Sequence, residues 1–302
     1  MARVIVTGGT GFIGRQVVAR LLAQGATPVV MTMRVDVELP PGAHSIEVDL
    51  TDSDAVTAAV AASDCDALIH LAWQPVVRGL WSAPENVAWV RHSLHLAEAF
   101  MAAGGKQMVF AGSCGEYDWT GGLCAEEVTP LRPSTLYGGC KLALFAILEP
   151  LAREAGVALA WGRAFFVYGP GEHPSRLGAS VVGALLDGQP ALCSHGMQLR
   201  DYLHVADVAE GFVSLLEGGH EGAYNLASGH PIRVRDLIEA LAEAAGRPDL
   251  VELGAREAPA HEPPLIVADM TKTHSVLDWR PRFDLQSGAQ DTVDAFRATL
   301  AA

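Results

Sequence analysis

The chain has 302 residues, of which 50% are hydrophobic and 19% charged, a composition typical of a folded globular protein. Its formal net charge of −14 argues against a nucleic-acid partner, because a surface that holds phosphates needs a basic patch. Five cysteines without a Cys-x-x-Cys pair are typical of reduced thiols, and they predict neither a disulfide framework nor a metal site such as zinc.

Short β-branched runs alternate with longer helical patterns through the first half of the chain. The runs predict strands at 3–6, 28–33, 45–48, 67–71, 107–111 and 158–164. Ala and Leu at helical spacing predict helices between them, at 12–24, 52–62, 84–104 and 135–155. This alternation favours a doubly wound parallel sheet, a Rossmann-type α/β fold, whose ligands bind beyond the carboxyl ends of the strands.

After residue 165 the pattern loosens into turns rich in glycine and proline. Helices are still predicted there, at 175–187, 205–217, 234–246 and 285–299. We expect 1–165 to form a dinucleotide-binding domain, with parts of 198–225 returning to it. Residues 166–302 should then form mainly a smaller α/β lobe that binds the substrate, and both parts should share one cleft, because no change in composition marks a linker.

A glycine-rich turn follows the first predicted strand. Gly9, Gly11 and Gly14 match Gly-x-Gly-x-x-Gly, while Gly8, Gly11 and Gly14 are spaced by three. The turn directly precedes a predicted helix, and in that context backbone N–H groups at the helix N-terminus hold a pyrophosphate. We therefore predict a bound dinucleotide.

The end of the second predicted strand bears on the choice of cofactor. An acidic residue there would receive the ribose of NAD, but the strand ends in Thr32, Met33 and Arg34. A threonine followed by an arginine favours NADP(H), with NAD(H) as the alternative, although Arg34 could also simply face solvent. Asp49, after the third strand, could meet the adenine or cap the following helix. The residues expected to contact the cofactor are Gly8, Gly11, Phe12, Ile13, Gly14, Thr32, Arg34, Asp49, Leu50, Leu71, Ala72, Tyr137 and Lys141.

A tyrosine and a lysine four residues apart suggest proton chemistry beside that dinucleotide. Tyr137 and Lys141 lie in a predicted helix, where positions i and i+4 share a face. The ammonium of Lys141 is expected to favour the phenolate and so to lower the pKa of Tyr137. The same spacing also occurs on ordinary solvated helix faces, so the catalytic interpretation of the pair depends on its occurring together with the glycine turn.

With these motifs the chain resembles the extended short-chain dehydrogenases/reductases, a family of nucleotide-sugar epimerases, dehydratases and ketoreductases, over nearly its whole length. The further segments that carry the resemblance are His70-Leu-Ala-Trp73, Gly112-Ser-Cys114, Arg163-Ala-Phe-Phe-Val-Tyr-Gly-Pro170, Arg200-Asp-Tyr-Leu-His-Val-Ala-Asp-Val208 and Tyr224-Asn-Leu. The resemblance implies a catalytic triad of Ser113, Tyr137 and Lys141. Tyr137 would exchange the substrate's hydroxyl proton while hydride passes to or from nicotinamide; Ser113 would orient the oxygen, and Lys141 would also hold the nicotinamide ribose.

The chain also departs from the family pattern near these residues. Cys114 and Gly115 stand where the dehydratases carry an acid and a base, and Glu116 is displaced along the chain, which disfavours dehydration. Phe166 replaces an asparagine on the pyrophosphate side, and Trp73 replaces a small residue after His-Leu-Ala. Trp73 could wall a sugar or base, or it could be core packing.

The resemblance also implies how the substrate is held. Arg200 and Arg256 match arginines that contact the diphosphate of a sugar nucleotide, although Arg200 could instead form an ion pair with Asp201 or Asp207, and Arg256 could have no binding role. The residues expected to bind substrate are Trp73, Cys114, Phe166, Arg200 and Arg256.

The motifs favour an NADP(H)-dependent oxidoreductase that reduces a keto group, at C4, of a nucleotide-linked deoxy sugar. The alternatives are a nucleotide-sugar 4-epimerase, a carbonyl reductase acting on a non-nucleotide substrate, and a nonenzymatic protein that binds the dinucleotide as a signal. Relatives imply a homodimer formed through the helices at 84–104 and 135–155. Ala143, Phe145, Ala146 and Leu148 could supply its apolar seam or could face the sheet.

The N-terminal segment lacks the charged head, apolar middle and cleavage site of an export signal. No apolar run reaches the roughly 18 residues of a membrane span, because glycine, proline or charged residues interrupt each one. We therefore expect a cytoplasmic protein without a membrane partner.

Overall fold

The computed structural model describes residues 2–34, 37–73, 79–258 and 262–301. Its strands are β1 (Arg3–Thr7), β2 (Thr27–Thr32), β3 (His44–Glu47), β4 (Ala67–His70), β5 (Gln107–Ser113), β6 (Leu123–Cys124), β7 (Ala158–Ala164), β8 (Phe166–Tyr168), β9 (Ala191–Leu192), β10 (Leu199–Arg200), β11 (Tyr202–His204), β12 (Gly222–Leu226), β13 (Ile232–Arg233), β14 (Val251–Glu252) and β15 (Leu265–Ala268). Its α-helices are α1 (Phe12–Ala23), α2 (Ser53–Ser63), α3 (Glu85–Ala102), α4 (Leu136–Ala155), α5 (Leu177–Leu186), α6 (Val205–Glu217), α7 (Val234–Ala245), α8 (Thr271–Val276) and α9 (Leu285–Ala301). Short 3₁₀ turns span Cys114–Glu116, Trp119–Gly121 and Pro248–Leu250.

A central sheet of seven parallel strands has the order β12-β7-β5-β4-β1-β2-β3. After β3 the chain crosses back to lay β4 on the other side of β1, so the strand order reverses between these two strands. Such a reversal opens a crevice at the carboxyl ends, here beside Thr7 and His70. The doubly wound Rossmann-type fold expected from the sequence is confirmed.

Alternation along the strands builds a core on each face of the sheet. In β1, Val4 and Val6 face one way, together with apolar residues of α1 and α6, while Ile5 faces the other way, together with residues of α2, α3 and α4. Because both faces are covered, the strand is apolar at nearly every position. Phe145 and Leu148 of α4 lie in the second core against the sheet, whereas Ala143 and Ala146 are exposed.

The second half of the chain adds smaller sheets and a third core. A four-stranded sheet has the order β13-β10-β15-β6, and β8 pairs with β11 as β9 does with β14. Helices α5, α7 and α9 enclose the third core. Strand β6 from the first half joins the small sheet, while β12 from the second half joins the central one. The division into two domains near residue 165 stays a prediction.

The eight predicted helices are all present, and each begins and ends within two residues of its predicted bounds. The strands of the second half and helix α8 were not predicted. Most of these strands have only two or three residues, too few for an alternating pattern to stand out from a loop.

A buried carboxylate ties the carboxyl end of β5 to β7. Glu116, in the 3₁₀ turn that follows β5, is fully buried. Its Oε1 accepts hydrogen bonds from the Ser113 backbone N–H at 2.8 Å and the Trp161 indole N–H at 2.9 Å, while Oε2 accepts from Arg163 Nε at 2.7 Å. A single side chain therefore fixes the backbone of Ser113 and the register of the turn beside it.

Arg163 continues this network to the edge strand of the sheet. Its side chain is 1% exposed, and one terminal nitrogen donates to the Tyr117 hydroxyl at 3.1 Å. Tyr117 in turn donates to the Asn225 side-chain carbonyl on β12 at 2.8 Å. The network links β5, β7 and β12 through groups that have no access to water.

Removal of the arginine should destabilise the fold strongly. Replacement Arg163→Met leaves the charge of Glu116 buried without its ionic partner, and we expect a loss of about 3–5 kcal/mol in the free energy of unfolding. Urea denaturation measures this quantity. The control is Lys106→Ala, which breaks a pair with Asp66 whose lysine is 74% exposed, and this change should cost less than about 1 kcal/mol. Equal losses in the two variants would contradict the prediction.

Candidate active site

A cleft of about 420 Å³ opens at the carboxyl ends of the central strands. It is lined by the residues Phe12, Ile13, Leu71, Trp73, Leu80, Trp81, Ala111, Gly112, Ser113, Cys114, Tyr137, Lys141, Ala164, Phe165, Phe166, Val167, Glu172, His173, Arg176, Leu177 and Tyr202. The cleft therefore combines the three residues expected to be catalytic with cofactor-side residues of the first half and substrate-side residues of the second.

The glycine turn lies at the crevice between β1 and β4. Gly8 has φ +69°, and a Cβ on it would lie 2.8 Å from the Ala72 nitrogen, so only glycine permits this close approach. The Gly11 N–H donates to the Gly8 carbonyl at 2.9 Å, and no side chain caps the first turn of α1. Free N–H groups at a helix N-terminus, approached by a backbone without side chains, fit the pyrophosphate of a dinucleotide.

Hydrogen bonds hold the other wall of this crevice. The Thr7 hydroxyl is 2.6 Å from His70 Nδ1, and His70 Nε2 is 2.8 Å from the Ser93 hydroxyl. Burial lowers the pKa of His70 to about 3, so the ring is neutral near pH 7. The Leu71 N–H donates to the Thr7 carbonyl at 3.1 Å and fixes the backbone that faces the glycine turn. Thr7 and Ser93 were not predicted as parts of the site.

A recess of about 400 Å³ lies beside the glycine turn, where the adenosine end of a dinucleotide would extend. Its lining includes Arg34, for which the sequence predicts a cofactor contact, together with Arg15 and Glu38, which were not predicted. The Arg34 N–H donates to the Thr32 hydroxyl at 3.0 Å, which fixes the backbone at the end of β2. Among the described residues, the recess thus presents two cations and one carboxylate.

Asp49 does not cap the helix that follows it. Its carboxylate accepts hydrogen bonds from the N–H and the hydroxyl of Thr51, both at 2.8 Å, and these bonds lower the pKa of Asp49. The N-cap of α2 is Asp52, whose carboxylate accepts from two backbone N–H groups of the first turn. The capping alternative for Asp49 is therefore wrong, because the helix begins four residues later, at Ser53. Leu50 is partly buried against the second core.

Helix α4 begins so that Tyr137 enters the cleft. The Thr135 hydroxyl accepts a hydrogen bond from the Gly138 N–H at 3.1 Å and caps the helix. A Cβ on Gly138 would collide with the backbone of Gly115, so glycine is what lets the helix lie this close to the turn after β5. The Tyr137 N–H donates to the Trp81 carbonyl at 3.1 Å.

Ser113, Tyr137 and Lys141 converge in the cleft. The Ser113 hydroxyl accepts from the Gly115 N–H at 3.1 Å and lies near enough to the Tyr137 phenol to act on its pKa. Lys141 is 3% exposed and its Nζ donates to the Ala111 carbonyl at 2.8 Å. The arrangement places the Tyr137 phenol beside a hydroxyl, so that the two groups can exchange a proton or hold the same substrate oxygen. The Lys141 ammonium lies one turn further along the helix that carries Tyr137.

The expected lowering of the Tyr137 pKa is wrong for the protein alone. Tyr137 is partly exposed where it lines the cleft, but burial still raises its pKa, against the lowering effect of the Ser113 hydroxyl. Lys141 Nζ lies 5.9 Å from the centre of the Tyr137 ring, and burial lowers the pKa of Lys141 itself to about 7. Desolvation therefore affects the pKa of Tyr137 more than the nearby charge of Lys141 does, because Tyr137 and Lys141 are both removed from water.

Three of the five residues expected to bind substrate line the cleft, namely Trp73, Cys114 and Phe166. Arg200 lies outside the lining: it is buried, its guanidinium is 5.4 Å from the centre of the Phe166 ring, and it forms an ion pair with Glu262 at 2.8 Å. Its partner is thus Glu262 rather than Asp201 or Asp207. Arg256 is exposed and also lies outside the cleft lining.

Several cleft residues were missed by the sequence analysis, including Trp81, Glu172, Arg176 and Tyr202. Glu172 is 8% exposed, and its carboxylate accepts from the Ala179 N–H at 3.0 Å near the start of α5. Burial raises the pKa of Glu172 to about 7, although Arg176 acts in the opposite direction. In the sequence, Glu172 could have been noticed as a charged residue in the Gly-Pro turn that follows Tyr168. No local pattern, however, indicates that this turn lies at the cleft.

Within the described ranges, no cluster of three or more His, Cys, Asp or Glu side chains could hold a metal ion. No helix there is long and apolar enough to cross a membrane. The five cysteines are free thiols, and four of them are buried.

Comparison with known proteins agrees with this geometry. The model of the NAD dependent epimerase/dehydratase family matches residues 4–227. A UDP-glucose 4-epimerase from Mycolicibacterium smegmatis is 30% identical over 98% of this chain and 98% of that protein. A dTDP-6-deoxy-L-talose 4-dehydrogenase (NAD(P)(+)) from Kitasatospora kifunensis is 29% identical over 96% of this chain and 94% of that protein. The structure of UDP-glucose 4-epimerase from Thermus thermophilus, in complex with NAD, matches with a TM-score of 0.84 and 30% identity, covering 98% of this chain and 99% of that one.

The glycine turn can be tested by binding alone. Replacement Gly8→Ala should weaken NAD and NADP binding by at least about tenfold in calorimetric titration, because the added Cβ would push Ala72 away from the crevice. Gly156→Ala is the matched control, since Gly156 has the same φ of +69° but open space around its Cβ. A comparable loss of affinity in both variants would contradict a specific role for Gly8.

Proposed function

The chain belongs to the NAD-dependent epimerase/dehydratase family, and we propose that it interconverts the C4 epimers of a nucleotide-linked sugar with NAD(H) as its cofactor. The observation that carries this proposal is the convergence of Ser113, Tyr137 and Lys141 in one cleft beside the glycine turn. The names of the relatives support the substrate class and the carbon. Epimerisation thereby takes precedence over the reduction that the sequence motifs favoured.

The proposed mechanism assigns the proton to Tyr137. When bound, the nicotinamide supplies the acceptor and donor of hydride. In the direction from ketone to alcohol, the Tyr137 phenol donates its proton to the sugar oxygen while the Ser113 hydroxyl holds that oxygen. The charge of Lys141 offsets the phenolate that this leaves, and in the reverse direction the phenolate takes the proton back from the sugar hydroxyl. The high pKa of Tyr137 in the protein alone keeps the phenol protonated until positive charge arrives beside it.

The substrate side of the cleft supports an elongated ligand with an apolar face. Trp73, Trp81 and Cys114 lie around the phenol, while Phe166 continues the wall toward the second half of the chain. We place the anionic part of the substrate near Arg176, because this cation lines the cleft. Arg200 would then act indirectly, through its contact with the Phe166 ring and its ion pair with Glu262.

A second candidate is the NADP(H)-dependent reduction of a 4-keto sugar. It is favoured by the recess at the adenosine end, where Arg15 and Arg34 could meet a 2′-phosphate and β2 ends without a carboxylate. The Kitasatospora relative, whose name includes NAD(P), adds support. A homodimer also remains a proposal, and it would have to use the exposed side of α4, since Phe145 and Leu148 are buried in the core.

Epimerisation should be detectable without net consumption of cofactor. We expect the purified protein with NAD to convert UDP-glucose and UDP-galactose into one another, as followed by chromatography of the sugar nucleotides. Tyr137→Phe should lower the rate by about 10²- to 10⁴-fold, the usual contribution of general acid–base catalysis, because it removes the proton carrier. Tyr224→Phe, on β12 outside the cleft lining, should keep the rate. Failure to convert these or a panel of dTDP, GDP and CDP sugars would contradict the proposal.

The reductase candidate makes a separate prediction about the cofactor. Arg34→Ala should weaken NADP binding by about tenfold while leaving NAD binding nearly unchanged, because only NADP carries a 2′-phosphate for the guanidinium. Titration of both cofactors by fluorescence measures the difference. An equal effect on the two affinities would exclude a phosphate contact by Arg34 and with it the main support for this candidate.

A further inference from the structure

The ammonium of Lys141 is buried against an aromatic face. Its Nζ lies 3.7 Å from the centre of the Trp73 ring and donates a hydrogen bond to the Ala111 carbonyl at 2.8 Å. Among the residues that the structure describes, no carboxylate lies within ion-pairing distance of this nitrogen. A buried cation without a counter-ion needs another source of negative potential, and the face of an indole supplies one.

Trp73 is held in the orientation that this contact requires. Its indole N–H donates to the Asn86 side-chain carbonyl at 2.7 Å, and the Asn86 amide donates in turn to the carbonyls of Leu80 at 2.7 Å and Ala83 at 2.9 Å. Asn86 is fully buried. The ring therefore cannot turn its edge to the ammonium without breaking buried hydrogen bonds.

The same ring also meets the phenol. Trp73 and Tyr137 pack edge to face with their ring centres 6.2 Å apart and their planes at 83°. We propose that Trp73 is a positioning residue that keeps the Lys141 ammonium charged and in place beside Tyr137. The role of that charge in turnover rests on the proposed function, whereas the effect of the ring on Lys141 does not.

The electrostatic surroundings of Lys141 make this contact important. Burial lowers the pKa of Lys141 to about 7, and the more distant Glu116 is the charge that raises it. Among the described residues, the other titratable groups that face it include His70 on β4, which is neutral near pH 7, and Tyr137 on its own helix. Near neutral pH the lysine thus stands close to its titration midpoint, where a modest loss of stabilisation changes its charge.

The direction of the effect follows from the chemistry of the ring. The negative face of the indole attracts the ammonium but not the neutral amine, so its removal favours the amine and moves the titration of Lys141 to lower pH.

Lysine NMR can test the contact without any substrate. The chain has only three lysines, Lys106, Lys141 and Lys272, so the replacements Lys106→Arg and Lys272→Arg leave Lys141 as the single side-chain signal in protein labelled with ¹³C,¹⁵N-lysine. We expect the titration midpoint of Lys141 to move down by about one pH unit, a tenfold change in its ionisation constant, in Trp73→Leu. Trp73→Phe should show a smaller shift, because a weaker π face remains.

Trp81→Leu is the matched control. Trp81 packs edge to face on Tyr137 at 5.5 Å but makes no cation–π contact with Lys141, so its loss should leave the Lys141 midpoint in place. An unchanged midpoint in Trp73→Leu, or an equal shift in Trp81→Leu, would overturn the proposal. If Trp73→Leu does not fold, Trp73→Phe decides: a downward shift supports the proposal and an unchanged midpoint overturns it.

The pH dependence of turnover then separates this inference from the proposed function. If activity needs the ammonium, the alkaline limb of the kcat/KM profile should move down with the NMR midpoint in Trp73→Leu. A shifted NMR midpoint with an unshifted alkaline limb would support the inferred effect of Trp73 on Lys141 and refute the catalytic use of the Lys141 charge.

Discussion

The candidate site depends on the buried carboxylate of Glu116. It accepts hydrogen bonds from the backbone of Ser113 on β5 and from the indole of Trp161 and the guanidinium of Arg163 on the neighbouring strand β7. Because all these groups are enclosed, none can exchange its partner for water without a large penalty. The end of β5 is therefore held rigidly, and the Ser113 hydroxyl is presented to the phenol of Tyr137 in a fixed position.

Desolvation governs the chemistry that this rigid frame makes possible. It raises the pKa of Tyr137, lowers that of Lys141 to about 7 and brings that of Glu172 to about 7. Each of these groups prefers its neutral form more than it would in water. In such an environment the position of every remaining charge matters. An aromatic face against the ammonium of Lys141 therefore stabilises it more than the same contact would at the surface.

The family and the framework of the site were predictable from local patterns. The motifs indicated the family, which the comparisons confirm, and the glycine turn and the i, i+4 pair indicated where the cleft would lie. The errors concern groups whose surroundings come from distant parts of the chain. Arg200 pairs with Glu262, sixty-two residues away, and not with either of the nearby aspartates. The pKa of Tyr137 moves upward because strands and helices enclose it, an effect that spacing along a helix does not reveal.

By itself, the sequence determined the alternation of strands and helices, the phosphate-binding turn and the residues from which proton chemistry could be built, because each follows from contacts between residues close together in the chain. Tertiary structure alone decided which of these residues meet, how deeply they are buried and what faces them. Glu116 became an internal anchor, Arg256 stayed outside the cleft, and Trp73 came to lie over Lys141. The physical reason is that burial and long-range pairing depend on where the strand ends lie in the folded sheet. Local sequence patterns do not predict these positions.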